Sequence, residues 1–130
     1  LRNMQFINNL PESVSVYGNS SMLYSIFRNL TDNAIAYAGE NTTITLNAKE
    51  EKDEWLFTFS DNGIGVESKH LSRLFERFYR IDKGRSRKLG GTGLGLAIVK
   101  NAVILHGGNI TANNNTDGGL TFNFSITKNI

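Results

Sequence analysis

Between Gly90 and Lys100 the chain reads GGTGLGLAIVK, and no other segment limits the possible folds as sharply. Four glycines in six residues lead into residues 94–105, which are apolar nearly all round and stop at Gly107-Gly108. That pattern predicts a buried helix, which needs other elements packed around it. Glycine ahead of a helix lets backbone approach a ligand closely, and the first turn offers unpaired N–H groups and a partial positive charge. A phosphate or another anion suits such a place. A turn that merely connects two elements would look the same.

A chain of 130 residues with 39% hydrophobic content can form one domain that buries a core without staples. It has no cysteine, which removes disulfides and thiolate metal sites from consideration. No apolar run reaches the ~18–20 residues that span a bilayer, and no signal-peptide pattern opens the chain. The net charge of +2 conceals an asymmetry. Residues 69–88 hold eight Lys/Arg against two acids, and the remainder six against ten. A nucleic-acid surface, a solvated basic face and a local polyphosphate site are all compatible with that block.

Periodicity predicts short strands over residues 4–8 and 13–17 around Leu10-Pro11. A helix then starts at Ser20 as N-cap, with Leu23, Ile26, Phe27, Leu30, Ala34 and Tyr37 on one stripe up to Gly39. Residues 43–48 and 55–60 alternate like the two strands of an antiparallel hairpin, and residues 68–75 read as a short helix. Residues 80–91 read as a mobile loop. After the second long helix, residues 109–113 and 120–126 form a closing hairpin turned at Asp117-Gly118-Gly119. The expected class is α+β: a two-layer sandwich of a mixed sheet, about five strands, on about three helices.

Three further groups of residues can carry chemistry. Asn29 and Asn33 lie four apart and share a helix face beside the apolar stripe. Their carboxamides suit structural hydrogen bonds, or an oxygen ligand completing the shell of a magnesium ion already held by phosphates. Asp61-Asn62-Gly63-Ile64-Gly65 follows a predicted strand, as a simple turn or as a carboxylate projecting into a glycine-floored pocket. A carboxylate there accepts from the amino group of adenine and rejects the carbonyl of guanine. Phe75-Glu76-Arg77-Phe78-Tyr79-Arg80 interleaves aromatics with cations, a pattern for single-stranded nucleic acid or for arginines over a triphosphate. There is no GxxxxGK[ST], and Leu96 and Ser68 break GxGxxG after either glycine cluster, which removes the P-loop and the dinucleotide fingerprint.

In this order, Asn29-x-x-x-Asn33-Ala34, Asp61-x-Gly63-x-Gly65, FERFYR at residues 75–80 and Gly91-Thr92-Gly93-Leu94-Gly95-Leu96 resemble the N, G1, F and G2 boxes of sensor histidine kinases. The resemblance covers essentially the whole chain as a single domain, residues 1–130. It implies the Bergerat-type ATP-binding fold, shared with gyrase-, chaperone- and mismatch-repair-type ATPases, and a flexible ATP lid from Arg77 to Gly90. It further implies ATP and magnesium as cofactors, with Asp61 on the adenine amino group and Asn33 on the metal. Asn29 and Arg80 become the catalytic residues, Asn29 standing where related ATPases carry a water-activating Glu. Gly63, Gly65, Tyr79, Arg80, Gly91, Thr92, Gly93, Leu94, Gly95 and Thr121 complete the nucleotide-binding set. The implied activity is transfer of the γ-phosphoryl group to a histidine on a separate dimerisation domain, within two-component signalling. A Bergerat-fold ATPase, an anti-sigma-type serine kinase and a degenerate nucleotide-binding module are the alternatives.

Two departures from the family pattern stand out. The family commonly has Lys three residues after the second Asn, and this chain has Ala36. Nor does either histidine, His70 or His106, sit in anything resembling the phosphoacceptor segment, a His followed by an acidic residue and Arg-Thr-Pro. The chain is therefore expected to be a catalytic fragment, monomeric by itself and part of a homodimeric parent that works with a response regulator. No nucleic-acid partner is expected. The expected location is cytoplasmic, as the cytoplasmic part of a membrane-bound sensor kinase.

Overall fold

Alternation along the strands decides which face of the sheet is covered. In the computed structural model, which describes residues 4–16, 18–79 and 94–128, five strands form one sheet. They are β1 (Gln5–Asn8), β2 (Thr43–Glu50), β3 (Glu54–Asp61), β4 (Ile110–Asn114) and β5 (Leu120–Thr127). Their order is β1-β2-β3-β5-β4, with β1 parallel to β2 and every other pair antiparallel. The mixed sheet and the α+β class expected from sequence are both present.

Ile44 and Leu46 of β2, Trp55, Phe57 and Phe59 of β3, and Leu120, Phe122, Phe124 and Ile126 of β5 are buried. The register aligns them into rungs, such as Leu46–Phe59–Phe122. Two helices cover this face, α1 (Ser20–Tyr37) through Ile26, Leu30 and Ala34, and α3 (Gly95–Leu105) through Val99, Ala102 and Val103. Phe57 and Phe124 stack at 5.1 Å, and Phe27 of α1 meets each edge-on at 5.8 Å. Such pairs add ~0.5–1.5 kcal/mol beyond the area they bury.

Four local expectations need correction. Asn19 is the N-cap of α1 where Ser20 was expected; its Oδ1 accepts from Met22 N at 3.0 Å, and Ser20 already lies inside the helix. Residues 13–16 form no strand, because β1 and β4 hold the two sheet edges; a turn from Pro11 O to Val14 N leads them toward α1. The helix expected over residues 68–75 is helical only as α2 (Ser68–Leu71). Beyond it come tight turns, with Arg73 N, Glu76 N and Tyr79 N each bonding the carbonyl three residues back. Finally, α3 is not buried all round. Ile98, Ile104 and Leu105 are 46%, 52% and 64% exposed, since the sheet and α1 cover one side only. The expected lid falls outside the described residues except for 77–79.

Candidate functional site

The C-terminal half of α1, the end of β3, the start of β5 and the start of α3 converge on one cleft. Asn33, Ala34, Tyr37 and Ala38 line it from α1 and its C-cap, Asp61, Gly65 and Val66 from the loop after β3. Leu74, Tyr79, Leu96 and Leu120 supply the remaining walls. Residues from five stretches of sequence therefore share one concave surface.

Asp61 is the ionisable group at its centre. Oδ1 accepts from Gly63 N at 2.8 Å and from Leu120 N at 3.3 Å. Among the described residues Oδ2 has no hydrogen-bond partner, leaving an acceptor for a ligand's N–H. Burial pushes the carboxyl above the ordinary aspartate range, and the two backbone N–H groups pull the other way. Glycine is needed around it for space. A Cβ on Gly63 would lie 2.1 Å from Ala38 O, and one on Gly119, already at φ +101°, would lie 1.9 Å from Asp61 O.

Asn33 lines the cleft, and among the described residues its carboxamide has no hydrogen-bond partner. Asn29, one turn earlier, is tied down, its Nδ2 donating to Ser25 O at 2.8 Å. Its Oδ1 lies 3.1 Å from where a Cβ on Gly95 would stand, so Asn29 abuts the first turn of α3. That turn has no side-chain cap and no acidic residue, and Leu94 occupies its N-cap position. The first N–H groups of α3 thus stand beside Asn29 and near the cleft wall at Leu96. The described residues contain no group of three His, Cys, Asp or Glu able to hold a metal. A lone carboxamide can give a metal one oxygen, so any metal here would need its other ligands from a bound molecule.

Tyr79 also lines the cleft, its hydroxyl bonded to His70 Nδ1 and its ring 4.4 Å from the Arg73 guanidinium carbon. Arg80, Gly91, Thr92 and Gly93 lie outside the described residues. Thr121 is not among the cleft residues. Its hydroxyl donates to Asn115 Oδ1 at 2.5 Å and pairs with Ser60 Oγ at 2.8 Å, on the face of β5 opposite Leu120. Strand alternation carries the signal that finds Leu120, since it shares the buried face with Phe122 and Phe124. Tyr37, Val66 and Leu74 also line the cleft and belong to no quoted motif, while Leu96 ends the G2 box without having been assigned a contact.

Both histidines have partners within the domain. His106 is buried, its Nδ1 donating to Ala102 O at 2.7 Å and its Nε2 accepting from Asn19 N at 3.1 Å. His70 holds Tyr79.

Comparison with known proteins gives this geometry its context. Residues 18–130 match the family model described as histidine kinase-, DNA gyrase B-, and HSP90-like ATPase. Sensor histidine kinase WalK of Bacillus subtilis is 38% identical over 128 residues, 96% of this chain and 21% of WalK. The chain spans about a fifth to a third of the length of the curated relatives it matches. Among solved structures, the catalytic domain of histidine kinase ThkA superposes with a TM-score of 0.84 at 26% identity, covering 99% of this chain and 83% of that one. A structure of ThkA in complex with response regulator protein TrrA matches with a TM-score of 0.77 at 23% identity, covering 98% of this chain and 35% of that one.

Proposed function

The chain belongs to the histidine kinase-, DNA gyrase B- and HSP90-like ATPases, and from that premise we propose that it binds Mg-ATP and donates the γ-phosphoryl group to a histidine on a separate domain. The observation that carries this reading is Asp61: a half-buried carboxylate lining the cleft, with one oxygen held by two backbone N–H groups and the other without a hydrogen-bond partner among the described residues. Oδ2 accepts from the adenine amino group, and a guanine carbonyl in the same place would face it acceptor to acceptor. Tyr37, Leu74, Leu96 and Leu120 supply apolar walls for the base.

Asn33 would face the phosphates, its carboxamide oxygen holding one position of the magnesium shell, and the metal would supply neutralisation of phosphoryl charge. The uncapped start of α3, with Gly95 against Asn29, receives phosphate oxygens on its N–H groups. Arg80 adds bidentate charge there. The transfer breaks the bond between the γ-phosphorus and its bridging oxygen and forms a P–N bond to imidazole, with loss of the ring proton. Asn29 supports transfer over hydrolysis: an amide is a poor base for water, and this one already donates to Ser25 O.

Ala36, on the Asn29/Asn33 face, stands where the family commonly has a cation, so either phosphate affinity is lower or Arg85, Arg87 or Lys88, outside the described residues, supplies the charge instead. The acceptor histidine, the homodimeric assembly and a response regulator belong to the parent protein in this reading, at a cytoplasmic location. Among the described residues no helix is long and apolar enough to cross a membrane. ThkA, whose structure was solved in complex with TrrA, supports the regulator as a partner.

The test is direct. With γ-labelled ATP, magnesium and the histidine-bearing helical domain of a kinase such as WalK, label is expected on a histidine of that domain. Label released only as free phosphate would make the chain an ATPase, and label on serine would make it a serine kinase.

A further inference from the structure

The Asn113-Asn114-Asn115 run reads in sequence only as the approach to a hairpin turn. Two of its members reach across to the loop after β3. Asn114, the last residue of β4, grips both main-chain polar groups of Val66. Val66 N donates to Oδ1 at 3.0 Å, and Nδ2 donates to Val66 O at 2.5 Å. One side chain thereby imitates a backbone bridge. Asn115 takes the other end of the loop, its Nδ2 donating to Asp61 O at 3.0 Å and to Ser60 Oγ at 3.2 Å.

Adjacent asparagines thus clamp the loop from Asp61 to Val66 at both ends, across sequence separations of 54 and 48 residues. The clamp is fitted to its target. A Cβ on Gly65 would fall 2.7 Å from Asn114 Oδ1, so the close approach depends on glycine. Asn115 is itself held, with its N–H donating to Gly119 O at 2.9 Å and its Oδ1 accepting from Thr121 Oγ1. The same short loop supplies Gly63 N, one of the two donors that orient the Asp61 carboxylate.

We propose that Asn114 and Asn115 are positioning residues for base recognition, holding the main chain at either end of the Asp61–Val66 loop so that Asp61 Oδ2 faces the cleft. They touch no ligand and act through Asp61, Gly63 and Val66; the assignment rests on the nucleotide reading above. It gives a role to Thr121 as well, as the hydroxyl that orients Asn115.

Calorimetry with Mg-ATP on the isolated chain tests the proposal. Asn114→Ala and Asn115→Ala are each expected to weaken affinity about tenfold, the lower end of what loss of an outer hydrogen bond costs at a metal ligand, with unchanged stoichiometry. Asn114→Asp, nearly isosteric, is expected to weaken it too, because an oxygen then faces Val66 O, and it decides the matter if the alanine variant does not fold. Without nucleotide, amide exchange at Val66 is expected to accelerate in Asn114→Ala. A fall in stoichiometry or melting temperature with unchanged affinity would mark a merely structural role and overturn the proposal. Unaltered affinity in all three variants, with the wild type binding, would overturn it and leave the nucleotide reading standing. A wild-type chain that binds no ATP would overturn both.

Discussion

Asp61 illustrates how one residue can serve function against stability. Burial raises its pKa, so the folded state holds the proton more tightly than the unfolded chain does. The stability this lends is present below the ordinary aspartate value and is lost as pH rises through the folded pKa. At neutral pH the ionised carboxylate therefore contributes less to stability than its protonated form does in acid. Asp61→Asn keeps an oxygen for Gly63 N and Leu120 N and removes the charge. The variant is expected to melt above the wild type at pH 7, the difference shrinking in acid, while Mg-ATP binding drops below calorimetric detection. Paired melting curves across pH and an ATP titration check it; a lower melting temperature at pH 7 or retained affinity would contradict the assignment. Asp61 and Asn33 were legible in the sequence because motif spacing marks polar residues. Thr121, assigned to the nucleotide set by resemblance, is not among the cleft residues, because the period of two on β5 turns it to the face opposite Leu120.

At the level of elements, the strands were legible where alternation was strict, as in Trp55, Phe57 and Phe59, and illegible where valines merely pack, as in Val14 and Val16. Helix α3 misled because Leu, Ile, Val and Ala mark no polar face; the layers around it decide which side is covered. The sequence also gave no sign of how α1 and α3 are joined. His106, at the C-cap of α3, donates to Ala102 O, accepts from Asn19 N at the N-cap of α1, and receives Thr127 N and Oγ1 on its carbonyl. Gly18 makes room for the ring, since a Cβ there would lie 2.2 Å from His106 Cδ2. The imidazole thus ties the two helices, and the backbone carbonyl of the same residue holds the end of β5. His106→Ala would orphan the Asn19 N–H and leave a hole. It is expected to lose about 2–4 kcal/mol in urea unfolding. A loss below about 1 kcal/mol, the size of an ordinary surface substitution, would show that the junction relaxes at little cost.

Across the whole molecule, the cleft draws on α1, the loop after β3, the start of β5 and the start of α3, and all but the loop are elements that also build the single core. A ligand seated there is linked to global unfolding, since α1, α3 and β5 each supply both core side chains and a wall of the cleft. At a hundred times its Kd such a ligand stabilises by about 2.7 kcal/mol. For a domain of this size that corresponds to an increase of about 10 °C in melting temperature. Mg-ATP is expected to move one cooperative transition by that amount. Removing magnesium with a chelator should cut the shift, because phosphate charge is then neutralised only by the helix terminus and the basic segment, residues 69–88. Raising the salt concentration should cut it further for the same reason, while Asp61→Asn should erase it altogether. Two resolved transitions of which only one responds would mean that the cleft is not built on the core. An equal shift with GTP would mean that the carboxylate does not read the base, and the phosphate end alone would then account for binding.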